Sequence, residues 1–139
     1  MALSTHAYDV LIRESHLDSF GHVNNAAYMV LFEEARWEWI TQNGYSLGFI
    51  QESRQGPVVL EATVKFKKEL TLREKIRITS EMTDYRGKIG HCAQKMIKED
   101  GTLACEALFV VGLFDLNQRK LIDPTPAWRK AIGLASPIV

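Results

Sequence analysis

Between His16 and Tyr28 the chain reads His-Leu-Asp-Ser-Phe-Gly-His-Val-Asn-Asn-Ala-Ala-Tyr, which sets one carboxylate, Asp18, in a short polar loop just ahead of a helical stretch. That stretch opens with Gly-His-Val-Asn-Asn, Gly21 to Asn25. The start of a helix carries N–H groups without intrahelical partners, and it is the positive end of the peptide dipole. Donors of this kind polarise a carbonyl and stabilise an oxyanion. A carboxylate beside them can attack that carbonyl or take a proton from water. The chemistry this pairing suits is acyl transfer or hydrolysis. Asp and Asn ahead of a helix also serve simply to cap it, so the local spacing by itself leaves both roles open.

Other chemistries find less support. His16, Asp18 and His22 are ligand types for a divalent cation, but their spacing follows no tight metal motif, and neither a metal nor any other cofactor is expected. Cys92 and Cys105 lack metal spacing and read as buried, reduced thiols.

Several elements must hold these residues in place. From Tyr8 to Glu14 the residues alternate, with Tyr8, Val10 and Ile12 on one side, as in a first strand. From Asn25 to Gln42 the period is helical, and Asn43-Gly44 makes a stop. This helix carries Tyr28, Met29, Leu31, Phe32, Ala35, Trp39 and Ile40 around much of its circumference, so it should be enclosed. Of Glu33 and Glu34, one is expected to face solvent and the other to be buried and paired, with Arg36 or a residue of another subunit as partner.

Strands follow. Leu60, Ala62, Val64 and Phe66 alternate with Glu61, Thr63, Lys65 and Lys67; Ile76, Ile78, Ser80 and Met82 alternate with Lys75, Arg77, Thr79 and Glu81. A turn at Asp84 to Lys88 leads into a strand from Ile89 to Lys98, and Glu99-Asp100-Gly101 marks a hairpin before a last strand from about Thr102 to Leu116. Leu108 to Phe114 is apolar on both faces, which calls for a second covering layer such as another subunit. Thr125-Pro126 opens a short helix reaching about Ile132. A long helix followed by a four-strand meander predicts an α+β fold, a curved antiparallel sheet around a central helix.

The chain of 139 residues has room for one domain, 1–139. Its 17 basic residues balance 17 acidic ones, so nothing draws a polyanion and nucleic-acid binding is disfavoured. The N-terminus lacks the basic start and apolar run of a signal peptide, and no segment is long enough to span a bilayer. A cytoplasmic protein without membrane partners is expected.

The pattern Asp18-x-x-Gly21-His22-Val23-Asn24-Asn25-x-x-Tyr28 resembles the signature of hotdog-fold acyl-CoA thioesterases of the 4-hydroxybenzoyl-CoA thioesterase type. His16-Leu17-Asp18, His22 to Ala26 and Glu33-Glu34-Ala35-Arg36-Trp37 are similar to the long-chain acyl-CoA branch of that family. The strong likeness spans roughly residues 8–39. It implies a hotdog fold in a homodimer or homotetramer, with acyl-CoA sites at a subunit interface. It also implies hydrolysis of acyl-CoA, of medium to long chain, to free acid and CoA. By this likeness Asp18 attacks the thioester or activates water, and the Asn25 backbone N–H receives the carbonyl oxygen. His22 orients Asp18 or the substrate, or makes a structural hydrogen bond. Lys67 and Lys68 match basic residues suited to CoA phosphates, or belong simply to a solvated strand face. Tyr28 and Phe32, with Trp37 and Trp39, border the acyl chain or belong to the core.

The chain departs from the family at named positions. His16 stands where many members carry a second Asp, Glu14 and Asn25 stand where another subgroup has Tyr and His, and Glu69 stands where Pro is usual. A histidine-assisted mechanism is therefore not carried over at those positions. The rival reading is a hotdog subunit that binds acyl thioesters, or serves in assembly, without hydrolysis.

Overall fold

The computed structural model describes residues 5–134. In chain order it has β1 (His6–Leu11), a single 3₁₀ turn (Glu14–His16), α1 (Asn25–Gln42), α2 (Leu47–Ser53), β2 (Gln55–Phe66), β3 (Lys75–Arg86), β4 (Ile89–Lys98), β5 (Leu103–Asp115), β6 (Lys120–Ile122) and α3 (Pro126–Ala131). All strand pairs are antiparallel, in the order β1-β3-β4-β5-β2, with β6 added to β5. The sheet curves around α1 in the hotdog arrangement.

The helix starts where Asn24 caps it, its side chain accepting from the Ala26 N–H at 2.8 Å. It ends at Asn43, beyond which Gly44 takes φ +94°. Along β3 the period of two holds as far as the bulge after Met82: Ile76, Ile78, Ser80 and Met82 are buried. These residues, with Cys92, Gln94 and Met96 of β4 and Phe109, Val111 and Leu113 of β5, meet Leu31, Phe32, Ala35, Trp39 and Ile40 of α1. Phe32 packs edge-on to Phe109, ring centres 5.8 Å apart. Each such large apolar side chain, fully buried, contributes roughly 1.5–3 kcal/mol.

Three expectations need correction. The meander covers only β3, β4 and β5, since β2 pairs with β5 rather than β3. The segment after Phe66 crosses the end of the sheet, so β3 runs between β1 and β4 and β2 becomes an edge. Enclosure of α1 is also incomplete. The sheet covers one side, while Met29, Val30 and Trp37 on the other are exposed. Both Glu33 and Glu34 lie on exposed surface, and among the described residues neither is in a salt bridge. Water solvates their charge more cheaply than a buried partner would.

The doubly apolar stretch of β5 is explained in part by the chain itself. Phe109, Val111 and Leu113 face the core. On the outer face β6 folds back so that Leu121 lies over Gly112, where an added Cβ would come within 2.8 Å of it. Arg119 lies 5.4 Å from the centre of the Phe114 ring. Leu108, beyond the reach of β6, stays exposed. The edge strand β2, broken by a bulge between Val59 and Glu61, leaves Val59, Leu60 and Phe66 exposed as well. Among the described residues no helix is long and apolar enough to cross a membrane.

Candidate active site

Asp18 sits at the tip of a narrow loop whose two legs are joined by the Leu17–Val23 bridge and by the Asp18 N–H donating to the His22 carbonyl at 2.8 Å. At the tip the Gly21 N–H donates to the Asp18 carbonyl at 3.2 Å, closing a turn that brings Gly21 to φ +82°. The Asp18 side chain folds back over this turn. Its Oδ1 accepts from the Phe20 N–H at 2.9 Å and from the His22 N–H at 3.3 Å. Among the described residues Oδ2 accepts no hydrogen bond, so one carboxylate oxygen is fixed by the loop and the other remains open to a ligand.

The loop is anchored on both sides. Val23 is buried, and its N–H donates to the Leu70 carbonyl at 3.0 Å. The Asn24 N–H donates to the His16 carbonyl at 2.8 Å, and His16 Nδ1 accepts from the Arg13 N–H at 3.0 Å. His16 thus braces the loop by backbone contacts. Among the described residues no three His, Cys, Asp or Glu side chains converge as metal ligands would.

At the start of α1 the unpaired N–H groups can be accounted for one by one. The Ala26 N–H is held by the Asn24 and Asn25 side chains at 2.8 and 3.0 Å. Those of Ala27 and Tyr28 reach the Asn24 carbonyl at 2.9 and 3.4 Å. The Asn25 N–H alone in this group has no partner among the described residues. It is an open donor at the positive end of the helix.

Asp18 and Asn25 line one groove of about 350 Å³ together with His22, Tyr28, Lys67 and Lys68, so five of the predicted side chains and the predicted backbone donor come together. Its remaining walls include Phe66 and Glu69. The Tyr28 ring stands edge-on to Phe66, centres 5.0 Å apart, and burial raises its phenol pKa above the ordinary value, so it is a neutral donor. The N–H groups of Lys67 and Lys68 both donate to the Ala104 carbonyl, at 2.9 and 3.0 Å, which ties this end of β2 to β5. Lys67 Nζ lies 3.6 Å from Glu106, whereas the Lys68 ammonium is in no salt bridge among the described residues. Phe32 does not join the groove; it is fully buried in the core.

Glu69 is the groove residue that the spacing does not reveal. Its Oε2 lies 2.6 Å from His22 Nε2, so the residue at the departure from the usual Pro is the partner of the motif histidine. A second feature lies elsewhere. The C-terminal half of α1, the start of β2 and α3 enclose a cavity of about 280 Å³ lined by Trp37, Trp39, Arg36 and Trp128 among others. It shares no lining residue with the groove. Cys92 opens onto this cavity, but burial pushes its thiol pKa up to about 12, and that of Cys105 likewise to about 12. Neither provides a thiolate nucleophile near neutrality.

Comparison with known proteins gives a consistent picture. The thioesterase-like superfamily matches residues 12–132. The long-chain acyl-CoA thioesterase FadM of Escherichia coli (strain K12) is 30% identical over 114 residues, which are 81% of this chain and 86% of that protein. The crystal structure of YbaW from Escherichia coli superposes with a TM-score of 0.80 at 27% identity, covering 91% of this chain and 98% of that one. The Staphylococcus aureus protein SAV2348, solved in complex with CoA, shares the fold with a TM-score of 0.87 at 19% identity, over 100% of this chain and 91% of that one.

Proposed function

This chain belongs to the thioesterase-like superfamily and is an acyl-CoA thioesterase, and on that footing we propose that Asp18 performs its chemistry on medium- to long-chain fatty acyl-CoA. The observation that carries the assignment is the pairing in one groove of an open Asp18 oxygen with the Asn25 N–H, which has no partner among the described residues.

In this reading the thioester carbonyl oxygen accepts from the Asn25 N–H, and the positive end of α1 stabilises the oxyanion as it forms. Asp18 Oδ2 then follows one of two routes. It attacks the carbonyl carbon, expelling the CoA thiolate and leaving a mixed anhydride that water opens, or it takes the proton of a water that attacks the same carbon. Either route uses the loop hydrogen bonds on Oδ1 to hold the carboxylate still. Lys67 and Lys68, at the groove rim, suit the CoA phosphates. The short His22–Glu69 contact favours a structural, orienting role for His22.

We propose that two copies pair along the open edge of β2. Antiparallel pairing there would set the Phe66 end of one strand, beside Asp18, against the Pro57–Val59 end of the other, beside the Trp-lined cavity. It would also cover Val59, Leu60 and Phe66. The acyl chain would then run from the groove of one subunit into the cavity of its partner. The likeness to FadM and the Trp37 and Trp39 lining support a long apolar tail.

The test is hydrolysis of a ladder of saturated acyl-CoAs, followed as released thiol. Each methylene withdrawn from water is worth about 0.8 kcal/mol, roughly fourfold in specificity per carbon until the cavity is full. Acetyl-CoA should be poor, with a steep rise over middle lengths and then a plateau. A flat ladder would contradict the chain-length assignment. Binding without any thiol release would favour the non-catalytic reading.

A further inference from the structure

Arg36 departs from what a central helix normally carries. Its side chain leaves α1 on the sheet side and is half-buried, with its guanidinium 4.4 Å from the centre of the Phe109 ring. Nη1 donates to Gln94 Oε1 at 2.8 Å. Gln94 is itself fully buried, and its Nε2 donates to the Phe32 carbonyl at 3.0 Å and to Ser80 Oγ at 2.9 Å. Those two bonds fix the amide so that Oε1 must face Arg36. The arginine is thus held in position, which is what a recognition element requires and a loose surface cation lacks.

The charge has no direct ion-pair partner, and Glu33, one turn earlier on α1, favours it only at longer range. Among the described residues no carboxylate is in salt-bridge contact with Arg36, and burial pulls its pKa below the ordinary guanidinium value. A half-buried guanidinium needs acceptors for its several N–H donors. Gln94 accepts from Nη1 alone, and the other nitrogens are not among the buried unpaired atoms of the described residues, so they stay available to whatever occupies the cavity that Arg36 lines. The cavity that Arg36 lines is otherwise mostly aromatic and aliphatic, with Trp37, Trp39, Met82 and Trp128 in its walls. An apolar pocket with one fixed polar group is the usual design for orienting a ligand that is apolar except at one point. Glu33 also borders the cavity. Its negative charge opposes a carboxylate there, and it offers an acceptor to any hydroxyl that Arg36 donates to.

We propose that Arg36 is a specificity-determining residue and that the cavity takes an acyl chain bearing a neutral oxygen, a hydroxyl, remote from the thioester. The remoteness follows from the separation of the two sites: the thioester is held in the Asp18 groove, whereas Arg36 lines a cavity that shares no residue with it. The inference rests on the acyl-CoA reading above and refines its substrate class.

The experiment separates the two. Non-hydrolysable S-alkyl-CoA thioethers of one medium chain length, ending in a methyl or in a hydroxyl, are titrated into the full-length protein and followed by tryptophan fluorescence. The matching acyl-CoA thioesters are assayed in parallel by thiol release. The hydroxyl-tipped ligand is expected to bind roughly 10- to 100-fold tighter than the methyl-tipped one, as for a hydrogen bond to a charged donor. The same ratio should appear in kcat/KM. In Arg36→Met that ratio should collapse toward one, whereas a merely structural role would lower both ligands together and leave the ratio standing. Equal or tighter binding of the methyl-tipped ligand to wild type overturns the inference without any variant, as does a preference that survives Arg36→Met. If neither thioester is hydrolysed but the binding preference and its dependence on Arg36 are found, the thioesterase reading falls and the cavity assignment stands.

Discussion

At Gly21 the backbone adopts φ +82°, and an added Cβ would meet nothing within 4 Å. A side chain there is penalised by the conformation alone, by about 1–2 kcal/mol. The turn it closes is the one that folds the Asp18 carboxylate onto the Phe20 and His22 N–H groups. Gly21→Ala should therefore leave a folded protein whose kcat falls by roughly tenfold or more, since small misplacements of a reacting group are costly. Denaturant unfolding beside steady-state kinetics checks this, and wild-type kcat in the variant would show that the turn does not position Asp18. Much of the site was legible at this scale, because Asp18, His22 and Asn25 lie within one short stretch whose backbone geometry follows from Gly21 and the Asn24 cap. Glu69 was not legible as the partner of His22. It lies in another segment, and their contact exists only because the His22–Thr71 bridge brings the two loops together.

At the scale of elements, the legible parts were those with a long period. Asn25–Gln42 and Ile89–Lys98 have in the structure the limits that their patterns predict. What the pattern does not encode is which strand pairs with which. The alternation of β2 fits pairing with β3 as well as with β5, and only the crossing of residues 67–74 decides it. The bulge after Val59 also shifts the faces, so that Leu60 falls out of the regular register with Ala62 and Val64. Short elements carry too few residues to show a period, hence the unforeseen α2, with seven residues, and β6, with three. The tight β3–β4 connection offers a test of packing away from the groove. A Cβ at Gly90 would run into the Tyr85 ring and come within 2.6 Å of Met82 Cε. Tyr85 is in turn held by the Trp128 Nε1 donor at 3.3 Å, so it has little room to retreat. Gly90→Ala should destabilise by about 1–3 kcal/mol, the usual range for overpacking, as read from the denaturant midpoint. An unchanged midpoint would mean that this end of the sheet is looser than described.

For the molecule as a whole, the isolated chain leaves apolar surface on both α1 and β2: Val30 and Met29 on the helix, Val59, Leu60 and Phe66 on the strand. The edge strand is long, and although Pro57, Glu61, Lys65 and a bulge interrupt it, these exposed apolar side chains along it are the surface on which the proposed pairing rests. Sedimentation velocity at micromolar concentration should show at least a dimer. Val59→Lys, which places a charge on that edge, should shift the protein toward monomer and lower its turnover together. A stable wild-type monomer with full activity would rule out a site shared between subunits. The most direct test concerns Asp18. In Asp18→Asn the amide keeps an oxygen for the Phe20 and His22 N–H groups but can neither attack a thioester nor accept a proton from water. Thiol release from a medium-chain acyl-CoA should fall by roughly 10²–10⁴ while circular dichroism and the unfolding midpoint stay near wild type. Near wild-type turnover by the folded Asp18→Asn protein would contradict the assignment of the chemistry to this carboxylate.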